Sequence, residues 1–265
     1  MKKLVVLFTF LQTASCFGQN PNPSVLLDEY IMNEMESEHF PGMATVIVKN
    51  GEIVWIKCYG FADIENGIPV TDSTQFLLAS MSKLFTGTAT MQLKEDGMLQ
   101  LNNDINEYLP WPLNHPLQST TPMTIQQLMT HTSSIKDNWS AMSDYYGYPD
   151  PSMSLEACMQ DYFTVTGENY NANQNFLSAT PGTVFNYSNM ATALNGYITE
   201  IVSSMPFDDY CDEHIFEPLC MEKTAWHMAD LDSNEVARPY SYSNGNFVAN
   251  PHYGFADYPD GQLRS

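Results

Sequence analysis

Apolar and polar positions change their period several times along the chain, and each change marks an element. Behind Ser24, whose hydroxyl suits a helix N-cap, Leu27, Tyr30, Ile31 and Met35 recur at helical spacing. Phe40-Pro41-Gly42 ends that helix. The stretch "MATVIVKNGEIVWIKCYGFAD" then gives two apolar, β-branched runs about Asn50-Gly51, the pattern of a tight hairpin. A helical period returns after "FLLAS", with Leu84, Phe85, Thr88, Ala89 and Met91 as its apolar face and Gly97 as its stop. Thr124 and Gln127 form a capping box for the short helix "TIQQLMTH".

Residues 136–180 are rich in Asn, Ser, Tyr and Asp, with one helical piece over Leu155 to Phe163. A loop of that length predicts a wall for a pocket. "PGTVFNYSN" leads into a helix with Met190, Leu194, Tyr197, Ile198 and Ile201 on one side, and an amphipathic piece reaches "FEPLCMEKT". The remaining residues are polar and turn-rich, without repeats or low-complexity tracts.

Composition narrows the function. With 265 residues, 43% of them hydrophobic, the chain can bury a substantial core. Its net charge of −21 repels phosphate backbones, so nucleic acid is not an expected partner, and the surface reads as acidic and well solvated. Residues 1–18 read as a signal peptide: Lys2 and Lys3 precede an apolar run from Leu4 to Leu11, small residues follow, and cleavage is expected after Gly18. An exported protein, periplasmic or secreted, follows from that reading. A lipidated Cys16 ranks second, because Thr13 is a poor start for a lipobox. No other segment predicts a transmembrane anchor. Of the other cysteines, Cys58, Cys158, Cys211 and Cys220, the last two either pair or stay as buried free thiols. No Cys-x-x-Cys or His-x-x-x-His spacing is present, so no metal and no cofactor are expected.

Candidate chemistry sits in two Ser-x-x-Lys matches, Ser80 to Lys83 and Ser133 to Lys136. A serine hydroxyl is a weak nucleophile until a neighbouring base takes its proton. A lysine three residues on brings its amine to the same helix face one turn later. The start of a helix also offers the serine's own N–H to a developing oxyanion. Ser80 heads an apolar helix, whereas "KDNWSAMSDYYGY" after Ser133 carries no helical period. A second element is Tyr187-Ser188-Asn189, placed between "PGTVF" and an apolar helix. A phenol near a lysine can act as a general base, and an asparagine can hydrogen-bond that lysine or a substrate amide. Its duplicate, Tyr242-Ser243-Asn244, is followed by Gly245-Asn246 and reads as a hairpin tip.

Together, "LLASMSKLFTG" and "PGTVFNYSN" resemble the first two motifs of the penicillin-recognising serine hydrolases, the branch with class C β-lactamases, D-alanyl-D-alanine carboxypeptidases and related esterases. "FPGMATVIVKNGEIVW", "GFADIENGIPVT", "LMTHTSS", "FEPLCMEKT" and "GQLRS" resemble further family landmarks, in the family's order. The resemblance implies Ser80 as acylated nucleophile, Lys83 as its proton partner, Tyr187 as general base and acid, and Asn189 as a contact to Lys83 or substrate. His131 falls in a landmark and reads as structural. Ser134 and Cys220 stand where the landmarks usually carry glycine. The third family motif, Lys/His-x-Gly on a late strand, has no match in place. Lys223-Thr224-Ala225 lacks the glycine, and His252-Tyr253-Gly254 precedes "GQLRS" where the family's motif follows it.

The expected fold is therefore α/β (α+β), β-lactamase/transpeptidase-like. An antiparallel sheet packs with helices beside a helical region, and Ser80 lies in the cleft between them. The domain is expected over residues 19–265, its sheet incomplete at the C-terminus. Expected substrates are β-lactams, D-Ala-D-Ala peptides or small esters. The rival reading is a penicillin-binding or sensor module that acylates without turnover.

Overall fold

The structure, a computed structural model, describes residues 22–265; the expected signal peptide at 1–18 lies outside the described residues. The chain divides into two compact units at Thr74/Gln75.

In the first unit, α1 (Val25–Glu38) is capped by Ser24, whose Oγ accepts from the Leu27 N–H. Met35 is its one buried residue, and Leu27 and Ile31 are half-buried above it. Tyr30, expected on the apolar face, points to solvent at 61% exposure. Antiparallel β1 (Gly42–Lys49) and β2 (Glu52–Asp63) meet at Asn50-Gly51, and β3 (Ile68–Pro69) adds to the far side of β2. Both turn residues have positive φ, 53° and 80°, as a primed hairpin turn requires.

The second unit is built around α6 (Asn189–Ser203), whose residues Met190 to Thr199 are all buried. Its neighbours are α2 (Ser82–Glu95), α3 (Ile125–Met129), α5 (Leu155–Phe163) and α7 (Phe207–Cys211), while α4 (Trp139–Met142) lies in the segment between α3 and α5. Thr124 and Gln127 make both halves of the capping box of α3. Tyr146–Gly147 (β4) pairs with Gly254–Phe255 (β7), and Tyr240–Ser243 (β5) with Asn246–Ala249 (β6). Asn244 and Gly245 form the tip of the β5–β6 hairpin at φ 51° and 81°, as the sequence predicts.

The face that α2 buries differs from expectation. Leu84 is 62% exposed and Thr88 also faces out. The buried positions are Ser82, Thr86, Ala89, Thr90 and Leu93. Their hydroxyls are satisfied: Thr86 Oγ1 donates to the Pro259 carbonyl at 2.6 Å, and Thr90 Oγ1 accepts from Asn195 Nδ2 at 2.7 Å. Paired hydroxyls remove the cost of burial, so a helix face can be buried without being apolar. Gly196 allows α6 to approach the 258–260 turn, since a Cβ there would stand 2.5 Å from the Pro259 side chain.

Segment 136–180 is more ordered than its composition suggests. Tyr162 Oη donates to the Lys136 carbonyl at 2.6 Å and accepts from the Asn138 N–H at 2.9 Å. Asn175 Nδ2 donates to the carbonyls of Tyr162 and Asn169. The Cys211–Cys220 pairing does not form: both are free thiols, and Cys220 is exposed, whereas Cys211 is buried in the core.

Ser134 and Cys220 both adopt the left-handed backbone region, at φ 63° and 56°. Ser134 is buried and its Oγ has no hydrogen-bond partner among the described residues. Ser134→Gly removes both the strained φ and the unpaired hydroxyl. It should raise stability by about 1 kcal/mol after the added freedom of the unfolded chain is counted. Thermal unfolding checks this; an unchanged or lower melting temperature contradicts it.

Candidate active site

Residues 262–265 lie between two segments and position the start of the site. The Leu263 carbonyl accepts from the Leu78 N–H and the Ser265 carbonyl from the Phe76 N–H, while Arg264 and Ala225 exchange both backbone hydrogen bonds. The Leu263 N–H donates to the buried Ser82 Oγ at 3.1 Å. Ala79 then takes φ 47°, a left-handed conformation with a Cβ to accommodate, directly before Ser80. The 3₁₀ turn Ala79–Met81 presents Ser80 outward and runs on into α2.

Ser80, Lys83, Tyr187 and Asn189 come together. Tyr187 Oη donates to Ser80 Oγ at 2.9 Å, and Lys83 Nζ lies 3.4 Å from the same oxygen. Lys83 Nζ also donates to Asn189 Oδ1 at 2.7 Å and to the Asp260 carbonyl at 2.6 Å. All three protons of the ammonium are thus directed, and its nitrogen stands 5.0 Å from the centre of the Tyr187 ring.

The competing motifs, apart from His252-Tyr253-Gly254, are elsewhere. Ser133 and Ser134 are buried away from solvent. Tyr242 lies on β5. Lys223 pairs with Glu235 Oε2 at 2.6 Å. Of His252-Tyr253-Gly254, Tyr253 lines the cavity beside Ser80, and its carbonyl accepts from Arg264 Nη2.

Two residues hold the Tyr187-Ser188-Asn189 tripeptide. The His131 ring lies against Tyr187, centroids 4.4 Å apart, and its Nδ1 accepts from the Ser188 N–H at 3.2 Å. Burial, with Lys83 adding to it, pushes the His131 pKa down against an opposing pull from Asp137, which favours the neutral ring whose Nδ1 accepts that bond. Asp137, which the motifs did not single out, places a carboxylate at the N-terminus of α6. Its Oδ1 accepts from Ser188 Oγ at 2.9 Å and the Met190 N–H at 3.2 Å, and its Oδ2 from the Asn189 N–H at 3.0 Å. A carboxylate belongs at such a terminus, where the free N–H groups converge.

A cavity of about 240 Å³ opens beside Ser80, lined wholly by the second unit. Trp139, Met142 and Tyr146 from the long polar segment form one side, as its length predicts. Asp257 and Asp260 form another, 2% and 4% exposed. Desolvation raises both carboxyls, Asp257 to about 7, with Asp137 raising and Lys83 lowering each of them. Neither was visible as a site residue in the sequence. Among the described residues, no three His, Cys, Asp or Glu side chains converge as a metal site. No helix among them is long and apolar enough to cross a membrane.

A helical unit that sets a serine against a lysine and a tyrosine, in a chain that also carries an antiparallel hairpin unit, belongs to the β-lactamase/transpeptidase-like class of fold. The sequence profile of the Beta-lactamase family matches residues 27–265, and the chain belongs to that family, within the penicillin-recognising serine hydrolases. It is 28% identical over 246 residues to protein flp of Staphylococcus aureus strain MW2, covering 89% of this chain and 45% of that protein. It is 29% identical over 190 residues to a β-lactamase of Yersinia enterocolitica, covering 72% and 43%. The octameric penicillin-binding protein homologue from Pyrococcus abyssi superimposes with a TM-score of 0.70 at 28% identity, over 91% of this chain and 53% of that one. The chain thus spans about half the length of these relatives.

Proposed function

We propose that the protein is an exported serine hydrolase, periplasmic or secreted, that works through an acyl-enzyme on β-lactams, D-Ala-D-Ala peptides or small esters. The observation that carries the reading is the pair of proton-handling groups on one hydroxyl: Tyr187 Oη at 2.9 Å and Lys83 Nζ at 3.4 Å from Ser80 Oγ. Ser80 Oγ attacks the substrate carbonyl while its proton passes to the Lys83–Tyr187 pair, which has first released one proton to solvent. The Lys83 charge beside the Tyr187 ring stabilises the phenolate that accepts this proton. The pair returns the proton to the leaving group as the tetrahedral intermediate collapses to the Ser80 ester. Water then attacks that ester, giving a proton to the same pair, and Ser80 recovers it as the acid product leaves. Asn189 holds the Lys83 amine on this path. Family membership and the likeness to a β-lactamase support the reading.

Rapid mixing with a p-nitrophenyl ester tests it. The expected record is a burst of p-nitrophenolate of about one per chain followed by steady turnover, the kinetic mark of an acyl-enzyme. A burst with no turnover favours the module that acylates and stops. The absence of both burst and turnover overturns the reading.

A further inference from the structure

The cavity beside Ser80 has two kinds of wall that the acyl-transfer chemistry does not use. One is aromatic. Register within the β4–β7 pair sets Tyr146 opposite Phe255, their ring centres 5.6 Å apart, and Tyr253 stands 5.8 Å from the same Tyr146 ring. Trp139 completes the wall with 64% of its surface in solvent, an apolar area that a ligand would cover. The other wall is acidic: Asp257 and Asp260 line the same space and are almost fully buried. The cations close by are committed elsewhere. Lys83 donates to Ser80, Asn189 and the Asp260 backbone, and Arg264 to the backbone carbonyls of Trp226, Gln262 and Tyr253.

Aromatic faces and a buried acidic side chain together attract one chemistry, a cationic head on an apolar frame. We infer that the Ser80 cavity selects substrates that carry an ammonium group, primary or quaternary, on an apolar frame, received by Asp257 and the ring wall of Trp139, Tyr146, Tyr253 and Phe255. The inference rests on the hydrolase reading and gives it a substrate class. A cation seated there offsets the desolvation that burdens the two carboxyls. The net charge of −21 adds a field that draws cations toward the chain.

The test uses benzyltrimethylammonium, benzyl alcohol and phenylacetate as matched cationic, neutral and anionic probes. Each is measured as a competitive inhibitor of p-nitrophenyl acetate hydrolysis and by calorimetric binding to the whole chain. The cation should bind at least about tenfold more tightly than either the alcohol or phenylacetate. In Asp257→Asn the ratio of cation to alcohol affinity should fall toward one, whatever the variant does to absolute rates. Should that variant fail to fold, Trp139→Ala changes an exposed side chain and should still weaken benzyltrimethylammonium more than tetramethylammonium. Hydrolysis without a preference for the cation, or a preference that survives both substitutions, overturns the inference. Cation binding without hydrolysis supports the cation site and overturns the hydrolase reading alone.

Discussion

Lys83→Ala and Tyr187→Phe should each lower kcat on a p-nitrophenyl ester by about 10²-fold or more, the usual scale for a lost proton-transfer partner. Both side chains meet the one oxygen of Ser80, and Lys83 is also bound to Asn189 and the Asp260 carbonyl. Removing the amine therefore disconnects three groups at once. Removing the phenol oxygen leaves Ser80 with the longer of its two contacts. The two losses should not add, because both variants disable the same proton path. Tyr242→Phe is the matched control: it alters the same residue type in the duplicated tripeptide, on the β5–β6 hairpin, and should change kcat little. Comparable losses at Tyr187 and Tyr242 contradict the assignment.

Asp137→Ala should lower both stability and kcat. The carboxylate accepts three hydrogen bonds at the start of α6, two of them from the backbone of Asn189 and Met190. Hydrogen bonds to a charged acceptor are worth about 1.5–3 kcal/mol each, and some of that loss is recovered by water at a half-buried site. A net loss of about 2–3 kcal/mol corresponds to a fall in melting temperature of about 5–10 °C for a chain of this size. Tyr187 and Asn189 flank the clamped Ser188, so Asp137 acts as a positioning residue and kcat should fall by about tenfold or more with KM little changed. Asp137→Asn keeps an accepting oxygen and should restore part of kcat. If melting temperature falls in Asp137→Ala and kcat does not, the carboxylate is a helix cap and nothing more.

Elements fixed by local chemistry were legible in the sequence. Ser24, the Thr124–Gln127 box and Asn50-Gly51 act within four residues of themselves, and each does in the structure what its residue type suggests. α5 covers Leu155–Phe163, as its spacing predicts. Ser134 and Cys220 were marked only because similar chains carry glycine there, and both prove to sit at positive φ. The rest depends on distance along the chain. Asp260 reaches Lys83 across 177 residues and Asp137 reaches Ser188 across 51, so no window of sequence holds either relation. The buried face of α2 departs from the apolar pattern for a different reason. Apolar periodicity reports burial only where burial is apolar, and Thr86 and Thr90 are buried through hydrogen bonds to Pro259 and Asn195. The left-handed Ala79 left no trace in the sequence, since alanine is not a residue that signals positive φ.

The central claim is that Ser80 is the nucleophile, and covalent labelling tests it most directly. The chain is treated with a tagged fluorophosphonate, digested, and the modified peptide sequenced by mass spectrometry. Ser82 is buried with its Oγ accepting from the Leu263 N–H, and Ser133 is buried as well, so neither can take the label in the folded chain. The account predicts a single tag on Ser80, lost in Ser80→Ala and slowed in Lys83→Ala and Tyr187→Phe. A tag on Ser82 or Ser133, or no tag on a folded chain, contradicts it.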